Sequence, residues 1–523
     1  MSAAASTRPS AITQEALEKR FAAALGKKAL GAEARDFLTQ AFEDYVADEA
    51  PEISGDDLAT ILAQAWTGAE GRAHGQSAAV SISPLLGHKG RSTGYDLVQV
   101  IQDDRPFLVD SVMGELAEAG VTVRSLYHPV ADEPGGRESI ILVVIDPLPQ
   151  ERREVLETAL AGALADVAVA VDDHDAMSAL MARAITDLEK APPPADAGVV
   201  EENLDFLRWL QADHFVFLGA RDYDYPRTAS GGYEAEAPLS QSGEGLGVLR
   251  DPNRTVLRRA SEPAVLTKQM KRQLLDLGDP VTVAKANARS KVHRRAYMDY
   301  IGVKRYGADG KASGETRFVG LFTSEAYERT ASQTPLLRRK VANVMARAAK
   351  APGSHNEKRL RNILETYPRD ELFQVGEDEL LSISQGILHL YDRPRIKIFA
   401  RQDPFDRFVS VLAFIPRERF DASVRERIGR ILARSWGGRV SAWYPQLSDQ
   451  PLVRVHYIIG VTPGDHPTPD MAALGAEVAE AGRSWIDRFE SALRRAGIEE
   501  VAVGPLGQKW AEAYGAGYRD RYD

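Results

Sequence analysis

The residues best placed to do chemistry are Asp103-Asp104-Arg105-Pro106-Phe107-Leu108, where a Val- and Ile-rich run meets an amphipathic one. Locally they fit a helix start: acidic side chains accept from free N–H groups, and Pro presets φ. Asp103 and Asp104 are neighbours whose side chains point apart, so adjacency alone does not make an acid–base pair. The densest set of metal-ligand types is Asp172-Asp173-His174-Asp175. It reads as a turn and helix cap, because adjacent residues seldom converge on one ion without distant partners. No H-E-x-x-H or G-x-S-x-G spacing occurs, and Gly87-His88-Lys89-Gly90 lacks the spacing of a Walker A loop. A dinucleotide site needs strand, G-x-G-x-x-G, then helix. Gly243-Glu244-Gly245-Leu246-Gly247 has the wrong spacing, and Gly515-Ala516-Gly517-Tyr518-Arg519-Asp520 lacks the third Gly. Both read as turns. His128, before Pro129, and His456, in an alternating run, read as satisfied structural histidines. No catalytic, cofactor-binding or metal residue is expected in this chain.

The elements that would position the Asp103–Leu108 stretch follow from periodicity. Residues 12–75 read as helices, with Leu17, Phe21 and Ala24 at helical spacing and Asp56-Asp57 opening a helix that carries Leu58, Ile61, Leu62 and Trp66. Then come a strand at 96–102, a helix at 107–119 stopped by Gly120, a strand at 121–128 and a turn at 129–137 with Pro134 and Gly135. A strand at 139–145, a helix at 151–165 with Val155 and Leu156 inward, and a last strand at 167–171 complete a βαββαβ, ferredoxin-like order. Pro192-Pro193-Pro194 marks a stiff linker. A short helix and then strands at 214–218, 247–250, 281–284, 297–304 and 317–323 suggest an antiparallel sheet. Residues 335–385 read as helical and basic. Strands at 396–400 and 409–415, a helix at 422–436, strands at 440–444 and 453–461 and one long helix at 471–495 give ββαββα, read as a rearranged relative of the first unit.

The whole is expected to be α+β and multidomain. A tail and helices (1–80) precede two ferredoxin-like modules (81–190 and 393–500). These flank a sheet domain (198–332) and a helical connector (333–392), with a terminal helical segment (501–523) beyond. A chain of 523 residues suggests about three or four domains. It has no cysteine, which excludes disulfides, thiolate metal sites and a cysteine nucleophile. The formal charge of −10 argues against bulk nucleic-acid or anionic-membrane binding. The basic stretches around Arg338-Arg339-Lys340 and Arg289–Arg295 lack interleaved aromatics for base stacking, so a solvated face or contact with an acidic neighbouring domain is expected. No apolar run reaches the ~20 residues of a spanning helix, and residues 1–11 read as a frayed tail without a secretory h-region. A cytoplasmic location is expected.

Strand, Asp-Arg-Pro, then apolar helix inside such a unit resembles an ACT domain, an amino-acid-sensing regulatory module. Many ACT domains carry Gly after Asp-Arg-Pro, where the backbone nears the effector. Here Phe107 stands there, so the resemblance implies the fold more than a conventional pocket. Asp103, Asp104, Arg105 and Phe107 form the possible effector loop. Further motifs follow in order: Leu126-Tyr127-His128-Pro129-Val130, Asp205–Leu210 into His214–Gly219, Phe318–Thr323, Pro335–Lys340, Tyr367-Pro368-Arg369-Asp370-Glu371-Leu372-Phe373 and Asp403-Pro404-Phe405-Asp406-Arg407-Phe408. As an ordered set covering most of residues 20–520, they resemble the N-terminal region of the large bacterial NAD-specific glutamate dehydrogenases. That resemblance implies ACT-like modules around a PAS-like sheet, with the dehydrogenase chemistry in a later part of a longer polypeptide. It implies NAD as cofactor of the parent enzyme, none in this chain, and a homo-oligomer whose regulatory modules contact their own catalytic domain. Trp510, Tyr514, Tyr518 and Tyr522 suggest an aromatic face wanting a packing partner. Two rival readings are a self-contained amino-acid sensor and a PAS-type signalling or nucleic-acid-associated protein.

Overall fold

The computed structural model describes residues 12–45, 54–70, 72–133, 136–225, 240–254, 279–448 and 450–519. The tail at 1–11, Pro134, Gly135 and Tyr522 lie outside the described residues. Among the described residues the architecture is α+β, with three antiparallel sheets.

Three helices open the chain: α1 (Gln14–Ala24), α2 (Ala32–Glu43) and α3 (Gly55–Glu70). Ser54 and Asp57 cap α3 reciprocally, Asp57 N–H donating to Ser54 Oγ at 3.2 Å and Ser54 N–H to Asp57 Oδ2 at 2.9 Å. The first module follows as β1 (Ala79–Leu86), β2 (Ser92–Asp103), α4 (Leu108–Glu118), β3 (Val123–Tyr127), β4 (Val130–Glu133), β5 (Gly136–Ile145) and α5 (Gln150–Asp172). The sheet order is β1-β2-β5-β3, with β4 also on β5. Strand β5 is central and buried on both faces. Ile140, Leu142 and Val144 meet α1–α3, while Ile141, Val143 and Ile145 meet α4 and α5.

Two expectations fail here. Val167–Val171 is not a strand but the last turns of the 23-residue α5. The alternating valines mimic a period of two, yet Leu156, Leu160, Ala163, Leu164, Val167 and Ala170 keep helical spacing and pack inward, which overrides β propensity. Val155 points to solvent at 71% exposure. The outer sheet position is taken instead by β1, an edge strand that is largely exposed and carries Pro84.

The middle sheet runs β7-β6-β10-β9-β8, built from β6 (Phe215–Asp224), β7 (Ser240–Gly247), β8 (Val281–Arg289), β9 (Tyr297–Tyr306) and β10 (Ala312–Phe322). The strand expected at 247–250 ends at Gly247. Residues Val248–Arg250 are a 3-10 turn, entered through Gly247 at φ +56, where a Cβ would strike the Leu218 carbonyl. Helices α6 (His174–Lys190) and α7 (Ala197–Trp209) share this sheet's core, so the helix before the Pro run already packs on the middle sheet.

A short α8 (Ser324–Glu328) leads to the connector, α9 (Leu337–Ala348), α10 (His355–Glu365), α11 (Arg369–Gln374) and α12 (Glu377–Asp392). The second module is β11 (Lys397–Gln402), β12 (Phe408–Pro416), α13 (Ala422–Ser435), β13 (Arg439–Gln446), β14 (Leu452–Gly460) and α14 (Met471–Ala481). Its sheet order, β11-β12-β14-β13, repeats that of the first module. The two units therefore share one connectivity, ββαββα apart from β4. The apparent rearrangement came from adding a false last strand and missing β1. In each module helices cover the second sheet face: α1–α3 in the first, the connector against Leu412, Phe414 and Leu452 in the second.

The long helix expected at 471–495 is two. Ser484 and Asp487 form a capping box that starts α15 (Trp485–Arg495). Gly482 lies in the gap, where a Cβ would strike Ile396. Helix α16 (Glu500–Ala513) folds back on α15, so Tyr514 stacks with Trp510 and meets Trp485 edge-on. Trp510 and Tyr518 remain 41% and 43% exposed. No described helix is long and apolar enough to cross a membrane.

Candidate functional site

The Asp103–Phe107 loop joins β2 to α4, as its sequence suggests, and its charged groups are spent within the protein. Asp103 accepts from Arg72 Nη1 at 2.9 Å and from the Gly75 N–H at 3.0 Å. Burial pushes its carboxyl up, but these donors outweigh burial and hold it below the ordinary carboxylate range. Arg72 also pairs with the fully buried Glu138. His74, Asp103 and Glu138 bring ligand-type atoms within 4.8 Å of one another, but the Arg72 guanidinium bridges both carboxylates and supplies the positive charge there. Asp104 pairs with Arg137 at 3.4 Å, and Arg105 with Asp172 at 3.1 Å.

Phe107 adopts φ +73, a left-handed conformation suited to Gly. Its ring lies 5.1 Å from that of His293, on the connection between β8 and β9. His293 N–H donates to Ser111 Oγ at 3.0 Å, and its ring lies 2.8 Å from Asp110. The basic stretch around residue 293 thus docks on the acidic side of α4, where Arg295 pairs with Glu115. The other basic stretch is paired likewise: Arg338 meets Glu202 at 2.8 Å and Arg347 meets Asp378 at 2.5 Å. The Asp172–Asp175 cluster is divided: Asp172 faces Arg105, while buried Asp173 accepts from the Gly247 N–H and Arg250 Nε, both at 2.7 Å. His128 lies 2.7 Å from Ser139 Oγ, with its pKa lowered by burial.

The larger site is a cleft of about 1390 Å³ between β8, α11, the Asp403–Phe408 loop and the outer parts of β13 and β14. Alternation on β14 builds one wall. Val453, Val455, Tyr457 and Ile459 enter the module core, and Arg454, His456 and Ile458 face the cleft. At its floor Lys285 Nζ lies 2.6 Å from Asp299 Oδ1 and 3.0 Å from Asp370 Oδ2. The Tyr327 hydroxyl donates to Asp370 at 2.9 Å. Burial raises the Asp299 carboxyl above its ordinary value. Beside it Arg401 holds Glu371 through two bonds of 2.7 and 2.8 Å, and Ser410 Oγ lies 2.8 Å from His456 Nε2. Arg407 chelates Asp403 and reaches the Lys285 carbonyl, tying the loop to β8.

Two motifs that carry the family resemblance, Tyr367–Phe373 and Asp403–Phe408, meet at this cleft. Sequence reasoning used them only as landmarks. It missed Lys285, Asp299 and Tyr327, which no local spacing connects.

Comparison with known proteins agrees with the architecture. Residues 37–160 match the glutamate dehydrogenase ACT1 domain, residues 334–393 its helical motif 1 and residues 397–486 its ACT2 domain. By sequence, the chain carries the ACT1, helical-motif and ACT2 domains of the glutamate dehydrogenase family. The ACT1 match spans the Asp103 loop, and the helical-motif and ACT2 matches bracket the cleft. The NAD-specific glutamate dehydrogenase of Pseudomonas aeruginosa is 31% identical over 97% of this chain and 32% of its own length. That of Halomonas elongata is 31% identical over 84% of this chain and 28% of its own length. That of Mycobacterium tuberculosis is 27% identical over 81% of this chain and 26% of its own length. The chain thus spans about a third or less of these curated relatives.

Proposed function

We propose that this chain is the regulatory and assembly region of an NAD-specific glutamate dehydrogenase and does not itself hold the catalytic domain. The parent reaction is then L-glutamate, NAD and water to 2-oxoglutarate, ammonium and NADH, in the cytoplasm, with NAD bound by a later domain. The observation that carries this reading is the ordered match of ACT1, helical motif and ACT2 to one family. The antiparallel sheets support it, since none of the three is the parallel, doubly wound sheet of a dinucleotide fold. A PAS-like assignment for residues 198–332 draws support from the five-stranded order, in which the first and last strands are central. The proposed division otherwise keeps a connector at 333–392 and a second module from 393.

In this reading the Asp103–Phe107 loop has kept an ACT fold and given up an open effector pocket. Phe107 holds the Gly-like conformation while its ring fills the adjacent space. Partners are the parent's catalytic domain and further protomers, with amino-acid effectors acting through the seams between modules. An antibody raised against this chain tests the reading on extracts of the native cells. A band about three times the 57.3 kDa of this chain is expected from the share of the relatives that it spans. A band at the mass of this chain alone refutes it and favours the stand-alone sensor.

A further inference from the structure

The cleft between the middle sheet, α11 and the second module holds more cations than its own carboxylates neutralise. Those carboxylates are spent: Asp370 on Lys285, Glu371 on Arg401 and Asp406 on His466. Asp251 caps its own turn through the Asn253 N–H. Arg294, Arg369, Arg439 and Arg454 line the same space, and among the described residues none of the four has a carboxylate at ion-pair distance.

Two of these arginines are incompletely satisfied. Arg369 donates from Nη2 to the Arg329 carbonyl at 2.5 Å, while its Nε and Nη1 are buried without a hydrogen-bond partner. Arg294 donates to the Phe322 carbonyl at 2.5 Å, and its Nε is likewise buried and unpaired. They converge near Tyr327. The Arg294 guanidinium lies 5.4 Å over the Tyr327 ring, and the ring's hydroxyl bonds Asp370, the residue after Arg369. Orphaned buried donors on a cation are costly, and a counter-anion is what removes that cost. Burial lowers Arg369 despite the attraction of the nearby Glu365 and Asp370 carboxylates, and it pulls Arg454 down to about 10.

We propose that this cleft binds a small molecule carrying two or more oxyanion groups, one seated at Arg294 and Arg369 and another toward Arg439 at the rim. Planar guanidiniums match carboxylate and phosphate oxygens in bidentate fashion, so both sources share the recognition chemistry. The volume of about 1390 Å³ exceeds the roughly 300–1,000 Å³ of ordinary ligand sites, leaving room for more than a single amino acid. Tyr297 and Tyr444 on the walls offer ring faces to the body of such a ligand. Because three modules build the walls, occupancy favours the arrangement in which all three meet. This site is separate from the Asp103 loop, and its binding does not depend on an attached dehydrogenase.

Isothermal titration of this chain at low ionic strength, with citrate and separately with inorganic pyrophosphate, tests the proposal. At least one probe is expected to bind, and which binds tighter distinguishes carboxylate from phosphate. Arg294→Gln and Arg369→Gln are expected to raise Kd at least tenfold, while Arg124→Gln, in an exposed ion pair on β3, leaves it unchanged. Failure of both probes to bind overturns the proposal, as does wild-type affinity in the folded variants. Should either buried variant fail to fold, Arg439→Gln at the exposed rim is read the same way, and unchanged affinity there overturns the proposal. No outcome bears on NAD turnover, so the site and the dehydrogenase reading fail separately.

Discussion

Replacing Glu371 by Leu tests how the helical connector is fixed to the second module. Glu371 on α11 and Arg401 on β11 are 3% and 5% exposed and joined by two bonds of 2.7 and 2.8 Å. Two buried charges gain little net stability when paired, but removing one strands the other. Glu371→Leu leaves the Arg401 guanidinium in a closed space, with only its own Gln402 carbonyl at 3.3 Å and a long contact to Gln374. The expected loss is about 3–5 kcal/mol, the cost of an uncompensated buried charge. Glu371→Leu with Arg401→Met removes both charges, and its expected loss is under about 1 kcal/mol. Acid dependence follows with a definite sign. Burial pushes the Glu371 carboxyl up, but the Arg401 guanidinium outweighs it and holds the group below the ordinary range. A depressed folded value stabilises above the unfolded pKa of about 4.3, and that stability is lost as pH falls through the folded value. Arg401→Met alone leaves burial opposed only by the weaker His456 and Ser410 interactions, so its acid sensitivity should move up in pH. Hydrogen exchange of α11 and β11 amides is the suitable assay, because a multidomain chain has no single unfolding transition. Single variants within about 1 kcal/mol of wild type, or a double variant as unstable as the singles, would refute the reasoning.

Phe107→Gly relieves a left-handed residue by about 1 kcal/mol but removes a half-buried ring worth about 2 kcal/mol. A net loss of about 1 kcal/mol is expected from hydrogen exchange of α4 amides, together with new thermal stabilisation by an amino acid that wild type does not show. Lys285→Met leaves Asp299 and Asp370 facing each other without their shared cation. A loss of about 3 kcal/mol is expected from hydrogen exchange of β8 and β9 amides, eased as pH falls and one carboxyl protonates. His466 is raised above its ordinary value by its hydrogen bond to Asp406, at 2.8 Å. Its contribution is fully present below the unfolded pKa of about 6.5 and is lost as pH rises through the folded value. Melting temperature should therefore fall across that window in wild type, and His466→Gln should flatten the slope.

The fold was legible wherever one strand or helix face carries the pattern alone. Val453, Val455, Tyr457 and Ile459 alternate because β14 has a module core on one side and the cleft on the other. Val112 and Leu116 repeat at helical spacing because α4 covers one sheet face. β1 escaped because an edge strand half in water, with Pro84 inside it, has little apolar signal to give. Val167–Val171 misled because β-branched residues alternate by chance within a helix whose spacing is set by packing on the sheet. The break before α15 was readable in principle, as Ser484 and Asp487 have capping-box spacing. The loop at Asp103 was found, but not that Arg72 and His74 consume it. The cleft was invisible because Lys285, Asp299, Asp370 and Arg401 come together only through tertiary packing of three modules.

The most direct test of the central claim is NADH formation by the purified 523-residue chain given L-glutamate and NAD. The account predicts no NADH above the protein-free blank at any enzyme concentration. Glutamate-dependent turnover proportional to this chain would contradict it.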